Sequence, residues 1–149
     1  MPYSDLRKGR VSTTGRIYFV TTVVNNRLPI FESFQLARML VQCMKETHNK
    51  YDFTFICWVI MPDHVHWLIQ LKSSARLELI IKHLKANSAI RLNRFLNRSG
   101  SFWQENYYDH AVRREENVRK FARYVLANPI RAGLVTRIEQ YSHWDAIFL

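Results

Sequence analysis

The stretch FTFICWVIMPDHVHWLIQL, residues 53–71, determines the fold of this chain. Its first and last eight residues are rich in aromatic and β-branched side chains, which predicts strands at Phe53–Ile60 and His64–Leu71. Only three residues separate them, and one of these, Pro62, cannot donate a hydrogen bond to a sheet. We therefore expect the two strands to pair as an antiparallel hairpin.

Outward from this hairpin, the sequence predicts two more strands and three helices. In chain order these are a strand at Ile17–Val24, helices at Phe34–Thr47 and Ala75–Asn97, a strand at Tyr107–Arg113, and a helix that begins at Glu115-Glu116 and ends near Asn128. The last boundary is expected because Pro129 disfavours helical backbone at the residue before it. The order β-α-β-β-α-β-α predicts an α+β, ferredoxin-like antiparallel sheet with helices packed on one face.

Length and composition favour a single domain over residues 1–149, with a flexible basic arm at 1–15 and a C-terminal tail at 141–149 that is apolar enough to dock. Trp144 is the expected anchor of that tail. The chain has two cysteines, Cys43 and Cys57, both within apolar runs, which excludes a disulfide framework and fits a reducing cytoplasm. No run of 18 apolar residues predicts a membrane span.

Positive charge is concentrated in one half of the chain. The sequence holds 22 Lys and Arg against 12 Asp and Glu, a formal net charge of +10. Between Lys72 and Arg137 there are 14 basic and 5 acidic residues. A field of one sign on part of a small domain indicates a polyanionic partner, and nucleic acid is the leading candidate.

Basic side chains on the predicted helix Ala75–Asn97 are candidates for phosphate contact, which positions DNA without reading its sequence. They are Lys82, Lys85, Arg91, Arg94 and Arg98. In the arm, Arg7, Lys8 and Arg10 are candidates to reach a groove of the nucleic acid or the foot of a nucleic-acid hairpin. Three tryptophans are expected in the core, with base stacking as the alternative. These are Trp58, Trp67 and Trp103.

His64 and His66 form the first candidate site. Residues two apart on a strand point to the same side, so the two imidazoles can reach one metal ion together. An H-x-H pair is weakly specific by itself, and two surface histidines on a strand are the alternative. Asp63 is interpreted as a residue that caps the turn rather than as a ligand.

Tyr124 and Asn128 form the second candidate site. Their i, i+4 spacing places a hydroxyl and an amide side by side on one edge of the last helix. The structural alternative is an amphipathic tyrosine that closes the core, followed by a helix-ending asparagine before proline. Spacing alone favours that alternative.

Three segments together resemble one family. They are PDHVHWLIQL (62–71), FWQENYYDHAVR (102–113) and YVLANPIRAGLV (124–135), in that order. From Tyr18 to Trp144 the chain is similar to the REP-associated tyrosine transposases, relatives of the single-tyrosine HUH transposases of IS200-like elements. The histidine pair becomes specific only in combination with the downstream Y-x-x-x-N-P-x-x-A-G-L-V pattern.

The resemblance implies an enzyme that cleaves and rejoins hairpin-containing single-stranded DNA, such as REP-like repeats, through a 5′-phosphotyrosine. It implies Tyr124 as the nucleophile, with His64, His66 and Asn128 directed at a divalent metal, Mg²⁺ or Mn²⁺. Insertion-sequence relatives commonly carry glutamine where this chain has Asn128, which places the chain on the REP-associated side. A monomer is expected, with a dimer as the alternative.

Two other functions remain open at this point. A non-catalytic nucleic-acid-binding module on the same fold would need neither the histidines nor the tyrosine. A metal-dependent hydrolase that uses water as its nucleophile would need the histidines alone. Only the transferase requires Tyr124 and the histidine pair to lie together, although they are far apart in the chain.

Overall fold

A computed structural model of the protein describes residues 16–113 and 115–146. Its strands are β1 (Ile17–Val23), β2 (Phe53–Ile60), β3 (His64–Leu71), β4 (Tyr108–Val112) and β5 (Trp144–Ala146). Its α-helices are α1 (Phe34–Lys50), α2 (Leu77–Leu96) and α3 (Glu115–Arg131). The two strands of the predicted hairpin have the predicted bounds, and the other predicted elements are all present within a few residues.

The five strands form one antiparallel sheet in the order β4-β1-β3-β2-β5. The central strand β3 lies between β1 and β2, with Thr21 opposite His66 on one side and Val59 opposite His66 on the other. This confirms the α+β, ferredoxin-like antiparallel fold. Because directly paired residues share a face of the sheet, the register also fixes which side chains surround His66.

Helices α1 and α2 pack on one face of the sheet, as expected, but α3 packs on the other, which corrects the prediction that all helices share one face. The core under α1 and α2 contains Trp67 and Ile69, whereas the core under α3 contains Leu68. All three of these β3 residues are fully buried. A sheet with two apolar faces needs a cover on each, and α3 supplies the second.

Helix α3 continues three residues beyond the predicted end at Asn128, with Pro129 inside the helix. Proline has no N–H to donate to the carbonyl four residues earlier, that of Val125. Asn128 Nδ2 instead donates to Val125 O at 3.3 Å. The side-chain amide thereby supplies a hydrogen bond that the backbone lacks, and the helix reaches Arg131.

The described part of the tail is docked, as expected. Strand β5 pairs with β2, and Trp144 lies opposite Val59. Sequence analysis did not predict this short strand, because three residues carry no periodicity. Residues 147–149 and the arm at 1–15, with Arg7, Lys8 and Arg10, lie outside the described residues, as do the side chains of Glu115 and Glu116.

Both cysteines are free and buried, which agrees with their position within apolar runs of the sequence. Over the ranges that the structure describes, no helix combines the length and apolar character needed to cross a membrane.

Candidate active site

His64 and His66 lie together at the start of β3, on the face of the sheet that α3 covers. Their ring centroids are 4.8 Å apart and the rings are nearly perpendicular, at 79°. This confirms that the two side chains point to the same side of the strand, as their spacing predicted. His64 is partly exposed, whereas only 7% of His66 is accessible to solvent.

A carboxylate orients the imidazole of His64. The Nδ1–H of His64 donates to Asp63 Oδ1 at 2.7 Å, because a carboxylate can only accept. The Nε2 lone pair of His64 is therefore left for a metal ion, an arrangement that is common where carboxylates orient metal-binding histidines. Asp63 thus contacts a candidate ligand, a role that its interpretation as a turn-capping residue missed.

Asp63 is itself held by Arg27, whose Nη1 donates to Asp63 Oδ2 at 2.9 Å. Partial burial acts to raise the pKa of Asp63, but the hydrogen bonds from His64 and Arg27 outweigh it and lower the pKa below its ordinary value. Asn26 and Arg27 both have positive φ, 60° and 49°, an unusual conformation for residues other than glycine. This turn after β1 brings the guanidinium to Asp63.

His66 is held by β1. Thr21 Oγ1 and His66 Nδ1 are 2.7 Å apart, and the Phe19 ring stacks on the imidazole at 5.3 Å between centroids. Burial lowers the pKa of His66 to about 3, with smaller contributions from the charges of His64 and Arg131. His66 is therefore neutral at physiological pH, with Nδ1 engaged by a hydroxyl.

These two imidazoles fit a metal ion that retains open coordination positions. Each has its Nδ1 occupied by a protein partner, so each can offer Nε2. Among the described residues, no group of three or more His, Cys, Asp or Glu side chains could enclose a metal. A metal held by the histidine pair would thus keep positions for further oxygen ligands, as a catalytic ion requires.

Tyr124 approaches the two histidines from α3, the helix that covers their face of the sheet. Its ring centroid is 6.3 Å from that of His66 and 5.9 Å from that of Phe19. The tyrosine is 49% exposed, and its hydroxyl forms no hydrogen bond with any described residue. The structure therefore brings together the phenol and the two imidazoles that sequence analysis had selected separately.

Asn128 lies one helical turn beyond Tyr124. Its Nδ2 donates to Tyr124 O at 3.2 Å as well as to Val125 O. These contacts are with the backbone of its own helix, and they stabilise the helix next to Pro129. The amide oxygen is not used in either contact.

Arg131 is a residue that sequence analysis missed. Its guanidinium carbon lies 4.1 Å from the centroid of the Tyr124 ring, and its Nη2 donates to Tyr124 O at 3.2 Å. Seven residues separate the two along the chain, which places them on one face of a helix. This spacing would have indicated Arg131 only if α3 had been predicted to continue past Pro129. The predicted end at Asn128 excluded that.

The basic residues of α2 do not join this site, because α2 packs on the other face of the sheet. Lys85 donates to the carbonyl oxygens of Gln104 at 2.8 Å and Glu105 at 3.0 Å, and Arg91 forms an ion pair with Glu46 on α1. The others are exposed at the surface of that layer. They are Lys82, Arg94 and Arg98.

The tryptophans divide between core and surface. Trp67 and Trp103 are buried, as expected, and Trp103 Nε1 donates to Ser88 Oγ at 2.9 Å. Trp58 is only half-buried and lines, with Trp144, a cavity of about 530 Å³ beside α1. The stacking alternative therefore survives for Trp58 and fails for the two buried rings.

The sequence and the fold match a known family. A sequence model described as IS200-like transposases matches residues 12–128, and the chain belongs to this family. Its curated relatives include a protein of Haemophilus influenzae assigned as a REP-associated tyrosine transposase. That protein is 25% identical over 141 residues, which cover 88% of this chain and 80% of the relative.

A REP-associated tyrosine transposase of Escherichia coli is 24% identical over 135 residues, covering 87% of this chain and 74% of the relative. Solved structures agree on the fold. One, a REP-associated tyrosine transposase bound to a REP hairpin, matches with a TM-score of 0.77 at 20% identity over 91% of this chain and 79% of the other. A protein of Deinococcus radiodurans assigned as a transposase matches with a TM-score of 0.58 at 19% identity, over 78% and 93%. The predicted resemblance to REP-associated transposases is confirmed.

Proposed function

We propose that this protein cleaves and rejoins hairpin-containing single-stranded DNA through a covalent bond to Tyr124, with the help of a divalent metal. Membership of a transposase family supports a DNA-cleaving enzyme. The observation that carries the finer proposal is the 6.3 Å separation between the rings of Tyr124 and His66. A nucleophile and candidate metal ligands at this separation can act on one phosphate.

The proposed reaction is a transesterification. The Tyr124 oxygen attacks phosphorus, an O–P bond forms, and the bond from phosphorus to the 3′ oxygen breaks. The phenol proton passes to solvent, and the departing 3′ oxygen takes up a proton to become a hydroxyl. The 5′ end remains on the tyrosine as a phosphodiester, so a 3′ hydroxyl can later reverse the step and rejoin a strand.

His64 and His66 would hold the metal, and the amide oxygen of Asn128 is the proposed third ligand. When bound, Mg²⁺ or Mn²⁺ would supply Lewis-acid stabilisation of the charge on the scissile phosphate. The chain prepares the ligands for this: Asp63 fixes the proton of His64 on Nδ1, and Thr21 engages the Nδ1 of His66. Ligands already oriented in this way lose little entropy on binding.

Phe19 organises the reacting groups. Its ring packs against both His66 and Tyr124, so one side chain sets the spacing between the proposed ligand and the proposed nucleophile. The half-exposed phenol is accessible to a strand approaching from solvent, whereas the buried His66 is shielded from it. This difference in exposure between Tyr124 and His66 favours entry of DNA along the solvent-exposed side of Tyr124.

We propose REP-like hairpins as the DNA partner, because a structural neighbour is a REP-associated transposase bound to a REP hairpin. Lys82 and Arg94 on α2, and Arg98 just after it, are exposed and are the residues we propose for phosphate contact. Lys85 and Arg91 are already engaged in internal contacts, so their proposed part in DNA binding is secondary. We further propose that the protein acts as a monomer.

The deciding experiment is incubation of the protein with labelled single-stranded hairpin oligonucleotides and Mg²⁺ or Mn²⁺, followed by a denaturing gel. A protein-linked labelled band that is lost in chelator is expected. Hairpin binding without any covalent product would favour a non-catalytic binding module. Metal-dependent cleavage without a covalent band would favour a hydrolase that uses water.

A further inference from the structure

We propose that Arg131 is a catalytic residue that neutralises charge on the scissile phosphate while Tyr124 attacks it. The inference rests on the proposed function and adds a cation to it. The relevant geometry is that of the guanidinium, which lies over the tyrosine ring with its central carbon 4.1 Å from the ring centroid. A cation over the face of an aromatic ring is attracted by the π electrons, so this contact favours a position of the guanidinium beside the phenol.

A hydrogen bond ties the guanidinium to the helix. Nη2 of Arg131 donates to the carbonyl oxygen of Tyr124 at 3.2 Å. A guanidinium has five N–H groups, and this bond uses one of them. Arg131 is exposed, so the remaining N–H groups face solvent beside the phenol. They are therefore available to an anion that approaches Tyr124.

Arg131 also has no counter-ion among the described side chains. Several other arginines are paired with carboxylates, for example Arg27 with Asp63 and Arg91 with Glu46. Among the side chains that the structure describes, which exclude those of Glu115 and Glu116, no carboxylate forms an ion pair with Arg131. The guanidinium lies close to His66, because it covers the Tyr124 ring, whose centroid is 6.3 Å from that of His66. A phosphate placed between His66 and Tyr124 would supply the missing negative charge.

The continuation of α3 past Pro129 places Arg131 beside Tyr124. Pro129 would normally interrupt α3, but the Asn128 amide bonds to the Val125 carbonyl that proline leaves unpaired. The helix therefore continues for the turn that places Arg131 above the ring. If the chain left the helix at Asn128, this cation would not lie two turns after Tyr124 on the same face.

Arginine is suited to this role. Negative charge builds up on the non-bridging oxygens when a phenol oxygen adds to phosphorus. The planar guanidinium fork matches two phosphate oxygens and retains its charge at any physiological pH. A donor already held in place stabilises that charge without reorganisation, and removing one such donor typically slows a reaction by about 10²–10³-fold.

The test compares Arg131→Ala and Arg131→Lys with the wild type on two hairpin oligonucleotides. One has an ordinary phosphodiester at the cleavage site, and the other has a methylphosphonate, which removes the negative charge there. We expect Arg131→Ala to form the covalent adduct about 10²–10³-fold more slowly on the phosphodiester. Arg131→Lys should lie between the two. Arg119→Ala, an exposed arginine elsewhere on α3, is the matched control and should react like the wild type.

The methylphosphonate separates charge neutralisation from support of the fold. Without a charge to neutralise, the difference between wild type and Arg131→Ala should shrink to a few-fold. An unchanged ratio on both oligonucleotides would show that Arg131 acts only through structure and would overturn this inference alone. If the wild type formed no adduct with either oligonucleotide, the proposed function would fail and this inference with it.

Discussion

The rings of His66 on β3 and Tyr124 on α3 meet across a gap of 6.3 Å between centroids, with an interplanar angle of 71°. Neither residue is near the other in sequence, and both are in contact with Phe19 of β1. Three secondary-structure elements thus converge on one point.

Tyr124→Phe should abolish the covalent protein–DNA adduct and leave hairpin affinity within about twofold. Phenylalanine keeps the ring that packs against Phe19 and Arg131 and removes only the attacking oxygen. A denaturing gel measures the adduct, and a gel-shift titration measures the affinity. Adduct formation by this variant would show that another residue is the nucleophile.

Asp63→Asn should raise the Mn²⁺ concentration needed for half-maximal cleavage by about 10–100-fold, because partners that orient a ligating histidine have effects of this size. The amide keeps the shape of the carboxylate but removes the charge that fixes the proton of His64 on Nδ1. A metal titration of cleavage, with saturating Mn²⁺ restoring most of the rate, checks this. An unchanged metal requirement would separate Asp63 from the metal site.

Thr21→Val should lower the free energy of unfolding by about 1–3 kcal/mol, the usual cost of an unpaired buried polar group. The valine has the shape of threonine but cannot engage Nδ1 of the buried His66. Thr22→Val is the matched control, because Thr22 Oγ1 is buried and has no hydrogen-bond partner in the described chain. That change should be neutral or stabilising. Equal losses for the two variants in urea unfolding would contradict the role given to Thr21.

Asn128→Ala should destabilise the protein by about 1–3 kcal/mol, because the Val125 carbonyl, to which Pro129 cannot donate, loses the Asn128 amide as its donor. In a Pro129→Ala background the backbone N–H can serve that carbonyl, so the same change should cost less. Urea unfolding of the two single variants and the double variant gives the coupling energy. Additive losses would show that the amide does not compensate for the proline.

Stability should fall with acid over a window set by His66, whose pKa burial lowers from 6.5 to about 3. Between these values the unfolded chain binds a proton that the folded protein excludes. The free energy of unfolding therefore rises with pH through this window and no longer depends on His66 above it. The slope due to one such group is at most about 1.4 kcal/mol per pH unit. Urea unfolding in chelator from pH 4 to pH 7 should show a shallower slope in His66→Asn, and an equal slope would contradict this assignment.

The fold was predictable where one segment suffices to specify it. The apolar runs of β2 and β3 fixed their bounds, and the spacing of His64 and His66 fixed their shared orientation. The position of α3 on the second face was not predictable in this way, because it depends on the burial of both faces of β3. That is a property of the assembled sheet.

The candidate site, like the fold, was only partly predictable from the sequence. Tyr124 was selected by its motif, but Thr21 contacts His66 only through the register of β1 against β3. Arg27 reaches Asp63 because Asn26 and Arg27 have positive φ, a conformation that no local sequence pattern predicts. Arg131 was concealed by the ordinary rule that proline ends a helix. Thr21 and Arg27 therefore depend on tertiary geometry, Arg131 depends on where the helix ends, and the rest of the site depends on spacing.

The docking of α3 on a face of its own has a consequence for synthesis on the ribosome. Both histidines are translated well before Tyr124, and the helix that carries the tyrosine emerges last among the three helices described. A growing polypeptide therefore holds the candidate ligands without a nucleophile until α3 has left the exit tunnel and packed onto Leu68. Under the proposed function, truncated translation products that stop short of this helix would be unable to form the covalent bond to DNA.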